Sequence, residues 1–141
     1  LEQNKARLGQ KTGLGFYKYG ADGRKQEVDT TVYAELGLSA PTSPLEMKEC
    51  IERCVFAMVN ECSLALDADK IVETPNEVDL AMIMGTGFPP FRGGLLKYAD
   101  SVGAKYIADQ LMKYSSDRKA SRLKPTSKLQ ERANAQKKFY V

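Results

Sequence analysis

The chain has 141 residues, 43% of them hydrophobic and 28% charged, with a net charge of +3, three cysteines and no histidine. This is the make-up of an ordinary globular protein of about one domain, long enough to bury roughly 68% of its unfolded surface. The apolar runs fall far short of the ~20 residues a membrane-spanning helix needs, and the lack of histidine removes the commonest general acid–base.

Charge is unevenly spread. From residue 105 to the end there are ten Lys and Arg against Asp109, Asp117 and Glu131, a local +7. Such a stretch suits a phosphate-bearing partner such as coenzyme A, a membrane surface or nucleic acid, or else it is a solvated face. The cations are scattered and no aromatic ladder interleaves them, which favours the solvated face over nucleic acid. Cys50, Cys54 and Cys62 lie within one helical stretch. An odd number there makes no disulfide framework and fits a reducing compartment. Cys50 and Cys54 share a helix face, but with no histidine and no second cysteine pair they read as core packing rather than a metal site.

In chain order, Leu1–Leu8 reads as the end of a helix and Leu1–Gln10 has no signal-peptide pattern, so the chain reads as a piece of a longer polypeptide. Gly13–Tyr19 alternates small and aromatic residues and predicts a strand, followed by a loop at Ala21–Arg24. Lys11-Thr-Gly-Leu-Gly15 has glycines of a phosphate-binding loop, but a strand pattern follows it where a dinucleotide site needs a helix. Ser39–Pro44 is a linker, dividing the chain into 1–42 and 43–141. Ser43-Pro44-Leu45-Glu46 has the form of a capping box with proline at the first helical position. Behind it Met47, Ile51, Cys54, Val55, Met58, Val59, Cys62, Ala65 and Leu66 recur with the helical period and predict the inward face. Thr74-Pro75-Asn76-Glu77 starts a second helix, with Val78, Ala81, Met82 and Met84 inward and Gly85 at its end.

Gly85–Gly94 contains four glycines and two prolines in ten positions, so it predicts an ordered hinge or pocket wall that sets the angle between helices. Helices follow over Leu95–Ser101 and Ala104–Tyr114, a polar loop over Ser115–Arg122, and a last helix from Pro125-Thr126-Ser127 to about Asn134. Phe139–Val141 is an apolar end suited to docking on the body. The expected fold is mainly α with a short aromatic-rich extended N-terminal arm. Among polar residues, Asn60 and Glu61 sit mid-helix, where they either orient a substrate or bond a neighbouring loop, the loop being the commoner case. Asp79 and Asp100 lie near helix boundaries, where capping is the default role. Arg92 either binds a phosphate or carboxylate or holds an acidic partner such as Asp100. No carboxylate pair, nucleophile–base pair or metal cluster stands out.

Leu8-Gly-Gln-Lys-Thr-Gly-Leu-Gly-Phe-Tyr-Lys-Tyr19 resembles the segment that closes the first C-terminal helical domain of 3-hydroxyacyl-CoA dehydrogenases. Arg53–Glu61, Pro75–Asp79, Gly85–Gly94 and Tyr98–Gly103 resemble a second copy of that domain, and Lys137-Lys-Phe-Tyr140 resembles the close of the chain. Two copies are typical of the multifunctional fatty-acid β-oxidation α-subunit, which also carries enoyl-CoA hydratase activity in its N-terminal part. The resemblance implies a helical bundle of the 3-hydroxyacyl-CoA dehydrogenase C-terminal-domain type. It implies a parent that oxidises (S)-3-hydroxyacyl-CoA to 3-oxoacyl-CoA, with NAD and the catalytic His–Glu pair on an upstream Rossmann domain.

In that family the first helical copy supplies a catalytic Asn from an Asn-Arg motif. Here Glu52 stands where that Asn would be, while Arg53 and Glu61 match the family's Arg and downstream Glu. The resemblance therefore implies no catalytic, cofactor-binding or metal-binding residue in this chain, and leaves Arg92, Asn60, Glu61 and Arg53 as substrate or interface candidates. The expected role is a non-catalytic buttress of the upstream dehydrogenase domains in the same polypeptide, able to form a homodimer when isolated. The alternative is a module that contacts acyl-CoA or a thiolase subunit; no nucleic-acid partner is expected. The implied location is the cytoplasm in a bacterium or the mitochondrial matrix in a eukaryote, not secretion.

Overall fold

The structure, a computed structural model, describes residues 7–41, 43–117 and 120–140. It divides into two compact units, Leu1–Pro44 and Leu45–Val141. In the first, strands β1 (Tyr17–Tyr19) and β2 (Lys25–Val28) form an antiparallel hairpin with a bulge between the pairs Tyr17–Val28 and Tyr19–Lys25. A short helix, α1 (Thr31–Glu35), follows. Polar contacts converge on buried Arg7, which pairs with Asp29 at 2.8 Å, donates to Gly15 O at 2.8 Å, and also reaches Glu35 and Thr31. Val32 is the one fully buried hydrophobic side chain among the described residues of this unit. The helix expected at Leu1–Leu8 lies mostly outside the described residues, and Arg7 and Leu8 are not helical.

The second unit is helical, as expected: α2 (Met47–Asp67), α3 (Pro75–Thr86), α4 (Leu95–Val102), α5 (Ala104–Asp117) and α6 (Ser127–Ala135), with single 3₁₀ turns at Pro90–Arg92 and Ser121–Leu123. Its core gathers Phe56, Val59 and Leu66 of α2, Val78 of α3, Leu95, Leu96 and Ala99 of α4, Ile107 and Leu111 of α5, and Leu129 of α6. Two N-termini form as their sequences predict. Thr74 accepts from Glu77 N ahead of Pro75, and Thr126 accepts from Leu129 N.

Several expectations are corrected. Ser43–Glu46 is not a capping box. The backbone stays non-helical through Glu46, whose side chain makes no cap, and α2 begins at Met47. The residues ahead of Glu49 bury little, so packing adds nothing for an earlier helical turn. The inward face of α2 is rotated from the apolar stripe. Glu52, Phe56, Val59, Asn60, Ser63 and Leu66 are buried, while Met47, Ile51 and Cys54 are exposed and Cys50 and Cys62 only half-buried. Polar residues hold that face because each finds a partner on another element, which apolar periodicity does not register. Helix α3 continues through Gly85 to Thr86, and Gly87, at φ 70°, makes the left-handed cap. Ala81 and Met84 point outward rather than in. Ser115–Asp117 extends α5 instead of opening a loop.

Candidate functional site

Helix α2 carries a polar row along its buried side. Glu52 accepts from Tyr106 Oη at 2.9 Å and from Tyr114 Oη, both on α5, and exposed Lys48 lies 3.8 Å away. Burial, reinforced by the bond to Glu52, holds the Tyr114 phenol above its ordinary pKa. A carboxylate enclosed by two phenols is satisfied and shielded, which suits it to joining helices rather than moving a substrate proton. One position on, Arg53 pairs with Glu49 at 2.7 Å and lays its guanidinium 4.6 Å over the Tyr114 ring. Its Nη1 donates to Tyr114 O at 3.4 Å.

Two turns further, Asn60 is 2% exposed and uses both ends of its amide. Its Nδ2 donates to Lys124 O at 3.1 Å, and its Oδ1 accepts from Thr126 N at 2.8 Å. Ser63 adds a hydroxyl contact to Thr126 at 3.0 Å. These groups clamp the connection that leads into α6. Glu61, the next residue, is exposed.

The glycine–proline stretch forms an elbow between α3 and α4, and Asp79 is its pin. Its Oδ1 accepts from Leu96 N at 2.6 Å and its Oδ2 from Lys97 N at 3.1 Å, at the N-terminus of α4. Gly94, at φ 117°, passes so close that a Cβ there would stand 2.3 Å from Asp79 Cβ. Phe88 is buried beneath the elbow. Tyr140 completes the pin, donating its hydroxyl to Asp79 Oδ2 at 2.6 Å. Burial and that bond raise the Tyr140 pKa.

Arg92 does not pair with Asp100. It is exposed, with its guanidinium 4.9 Å over the Tyr98 ring. Asp100 instead accepts from the backbone N–H groups of Phe139 and Tyr140 at 2.8 and 2.9 Å. Among the described residues no hydrogen bond or ion pair joins any two of Glu52, Arg53, Asn60, Glu61 and Arg92, although Glu52 and Arg53 both contact Tyr114. The partners sequence reading missed are Tyr106, Tyr114 and Tyr140. Each lies more than 50 positions from the carboxylate it meets, and local pattern carries no signal of such a contact.

The other prominent feature of the elbow is apolar. Leu80 and Met84, one turn apart on α3, are 61% and 78% exposed, and Phe91 in the elbow is 83% exposed. Leu80, Ala81 and Met84 thus make an exposed apolar stretch on the outward side of α3.

The glycine turn of the first unit does not fit a nucleotide pyrophosphate. Gly9 N, Gly13 N and Gly15 N, the amides such a loop would offer, donate to Leu14 O, Gln10 O and Tyr17 O. Among the described residues no group of three or more Cys, Asp or Glu side chains is placed to hold a metal, and no helix is long and apolar enough to cross a membrane.

No family model matches the chain. It is 42% identical over 134 residues to the fatty acid oxidation complex subunit alpha of Shewanella loihica, covering 95% of this chain and 19% of that protein. The subunit of the same name from Shewanella halifaxensis is 41% identical over 95% of the chain. That of Vibrio campbellii is 40% identical over 97%. This chain is homologous to a segment of the fatty acid oxidation complex subunit alpha. It spans about one fifth of the length of these relatives.

Proposed function

We propose that the chain is the C-terminal, non-catalytic brace of a fatty acid oxidation complex alpha subunit. Its parent would oxidise (S)-3-hydroxyacyl-CoA to 3-oxoacyl-CoA with NAD bound upstream. The observation that carries this reading is the outward side of α3, where Leu80 and Met84 are exposed one turn apart on a unit with a packed helical core. Its occupant in this reading is the dehydrogenase part of the same polypeptide, most of which lies outside the segment matched here.

Two further features support the proposal. Glu52, which stands where the resemblance puts a catalytic Asn, is held by Tyr106 and Tyr114. The first unit has an apolar groove along Phe16, Tyr17, Val28, Val32 and Leu36, over a core with one buried hydrophobe among the described residues. We assign that groove to the rest of the preceding helical domain.

The test has two parts. The isolated chain, assayed with NADH and acetoacetyl-CoA at high protein concentration, is expected to show no turnover. In the full-length parent, Leu80→Glu with Met84→Glu is expected to lower the thermal stability of the dehydrogenase activity. The same pair in the isolated chain is expected to change unfolding stability by no more than about 1.5 kcal/mol, two exposed substitutions plus the repulsion of like charges one turn apart. Turnover by the isolated chain, or a parent indifferent to both charges, would overturn the reading. Arg92→Ala tests the module reading: weaker acyl-CoA binding with the fold intact would replace the brace.

A further inference from the structure

The last described residues tie four helices together through very few contacts. The chain leaves α6 by a left-handed turn at Gln136, φ 49°. It then runs back across the unit with Lys137 and Lys138 exposed and Phe139 buried. Arg132 of α6 places its guanidinium 4.3 Å over the Phe139 ring and donates to Lys138 O at 2.9 Å. It is itself held by Asp67 of α2 through two contacts of 2.6 Å. Asp100 of α4 captures the next two backbone N–H groups, one on each carboxylate oxygen. Tyr140 then reaches Asp79 of α3, with Lys97 of α4 4.6 Å over its ring.

Asp79 is the group that holds the start of α4 against α3. Its Oδ2 receives both Lys97 N and the Tyr140 hydroxyl. The tail therefore touches the elbow at its pin, not at its periphery. Gln136–Tyr140 starts at a turn residue and is held by the Phe139 ring, buried in the helical core, together with polar contacts to Asp100 and Asp79; a segment with so few anchors opens locally at less cost than global unfolding.

We infer that Gln136–Tyr140 is a latch on the α3–α4 elbow, hinged at Gln136. Closed, it keeps the Asp79 carboxylate aligned on the α4 amides and so fixes the presentation of the Leu80–Met84 face. Open, it releases that alignment. The latch stands on these contacts alone, while its consequence for docking rests on the brace reading.

Amide hydrogen exchange on the full 141-residue chain tests it, comparing wild type with Tyr140→Phe, which removes one hydroxyl, and Phe139→Ala, which removes the buried anchor. Exchange of the Leu96 and Lys97 amides is read against Leu111 in α5, so that a global loss of stability is divided out. A latch predicts that Leu96 and Lys97 exchange about tenfold faster in Tyr140→Phe, and faster still in Phe139→Ala, with Leu111 the slower reference. Leu96 and Lys97 holding their ratio to Leu111 in both variants would make the tail a passenger and overturn the inference. In the full-length parent, Tyr140→Phe is then expected to reduce dehydrogenase stability in the same direction as Leu80→Glu. Faster exchange without that reduction leaves the latch standing and removes the brace reading.

Discussion

The glycines of the elbow offer a graded experiment, because the structure assigns each a different reason for being glycine. At Gly94 an added Cβ meets Asp79 Cβ and Cγ at 2.3 Å, where ordinary van der Waals contact begins at 3.4 Å. More than an ångström of overlap has to be relieved. Asp79 cannot retreat without giving up Leu96 N and Lys97 N. Forced overpacking costs about 1–3 kcal/mol, and the backbone at φ 117°, an extended positive-φ conformation essentially confined to glycine, adds about 1–3 kcal/mol for any residue with a Cβ. Gly94→Ala is therefore expected to cost about 3 kcal/mol or more, a large share of the roughly 5–15 kcal/mol that holds a domain folded.

Gly87 sits in the milder left-handed helical region, at φ 70°, with nothing within 4 Å of its Cβ, so Gly87→Ala should cost only about 1 kcal/mol. Gly85 lies inside α3 with open space around it and no positive φ, so Gly85→Ala should stabilise by about 0.5–1 kcal/mol. Urea unfolding of the three variants followed by circular dichroism, with slopes compared to exclude a change in the unfolded state, gives the order directly. A Gly94→Ala variant no less stable than Gly87→Ala would refute the claim that close approach to Asp79, rather than backbone freedom alone, sets this position.

Asn60→Ala should cost about 2–3 kcal/mol, because it strands Lys124 O and Thr126 N beside a buried site; a change below about 0.5 kcal/mol by urea titration would show that the α6 connection is held by other contacts. Arg92→Ala should change unfolding stability by about 1 kcal/mol, the size of its exposed cation–π contacts to Tyr98 and, more distantly, Phe91; a loss above about 2 kcal/mol would give Arg92 a larger structural role. The phenols of Tyr114 and Tyr140 are neutral when bonded to Glu52 and Asp79 and titrate above their ordinary value in the folded chain. A raised folded pKa means the unfolded state loses its phenolic proton first. Their stabilisation is thus complete below about pH 10 and declines as pH rises beyond it. Urea midpoints measured between pH 8 and 11 should show that decline in wild type and a shallower one in the Tyr114→Phe and Tyr140→Phe double variant; identical slopes would count against the two pairs.

Much of the helical order was legible before any coordinates. Thr74 and Thr126 are read as helix starts from the residues around them, since a cap is a contact between near neighbours. Asp79 and Asp100 are legible as boundary carboxylates that accept backbone N–H groups, though not which groups they take. The row on α2 was misread for the opposite reason. Met47, Ile51 and Cys54 keep the apolar period yet face outward, and Glu52, Asn60 and Ser63 break it yet are buried.

The amino-acid sequence by itself determined the order of the main helices, the starts at Thr74 and Thr126 and the turn at the glycine–proline elbow: these are short-range properties of neighbouring side chains. Only the tertiary structure decided which face of α2 is inside and which carboxylate serves which partner. Glu52 becomes an inward residue when Tyr106 and Tyr114 arrive from α5 to satisfy it, and Asp79 becomes the pin of the elbow when Gly94 and Tyr140 close on it. Burying a charge is unfavourable until its partners are in place, and those partners are brought by the fold rather than by nearby sequence.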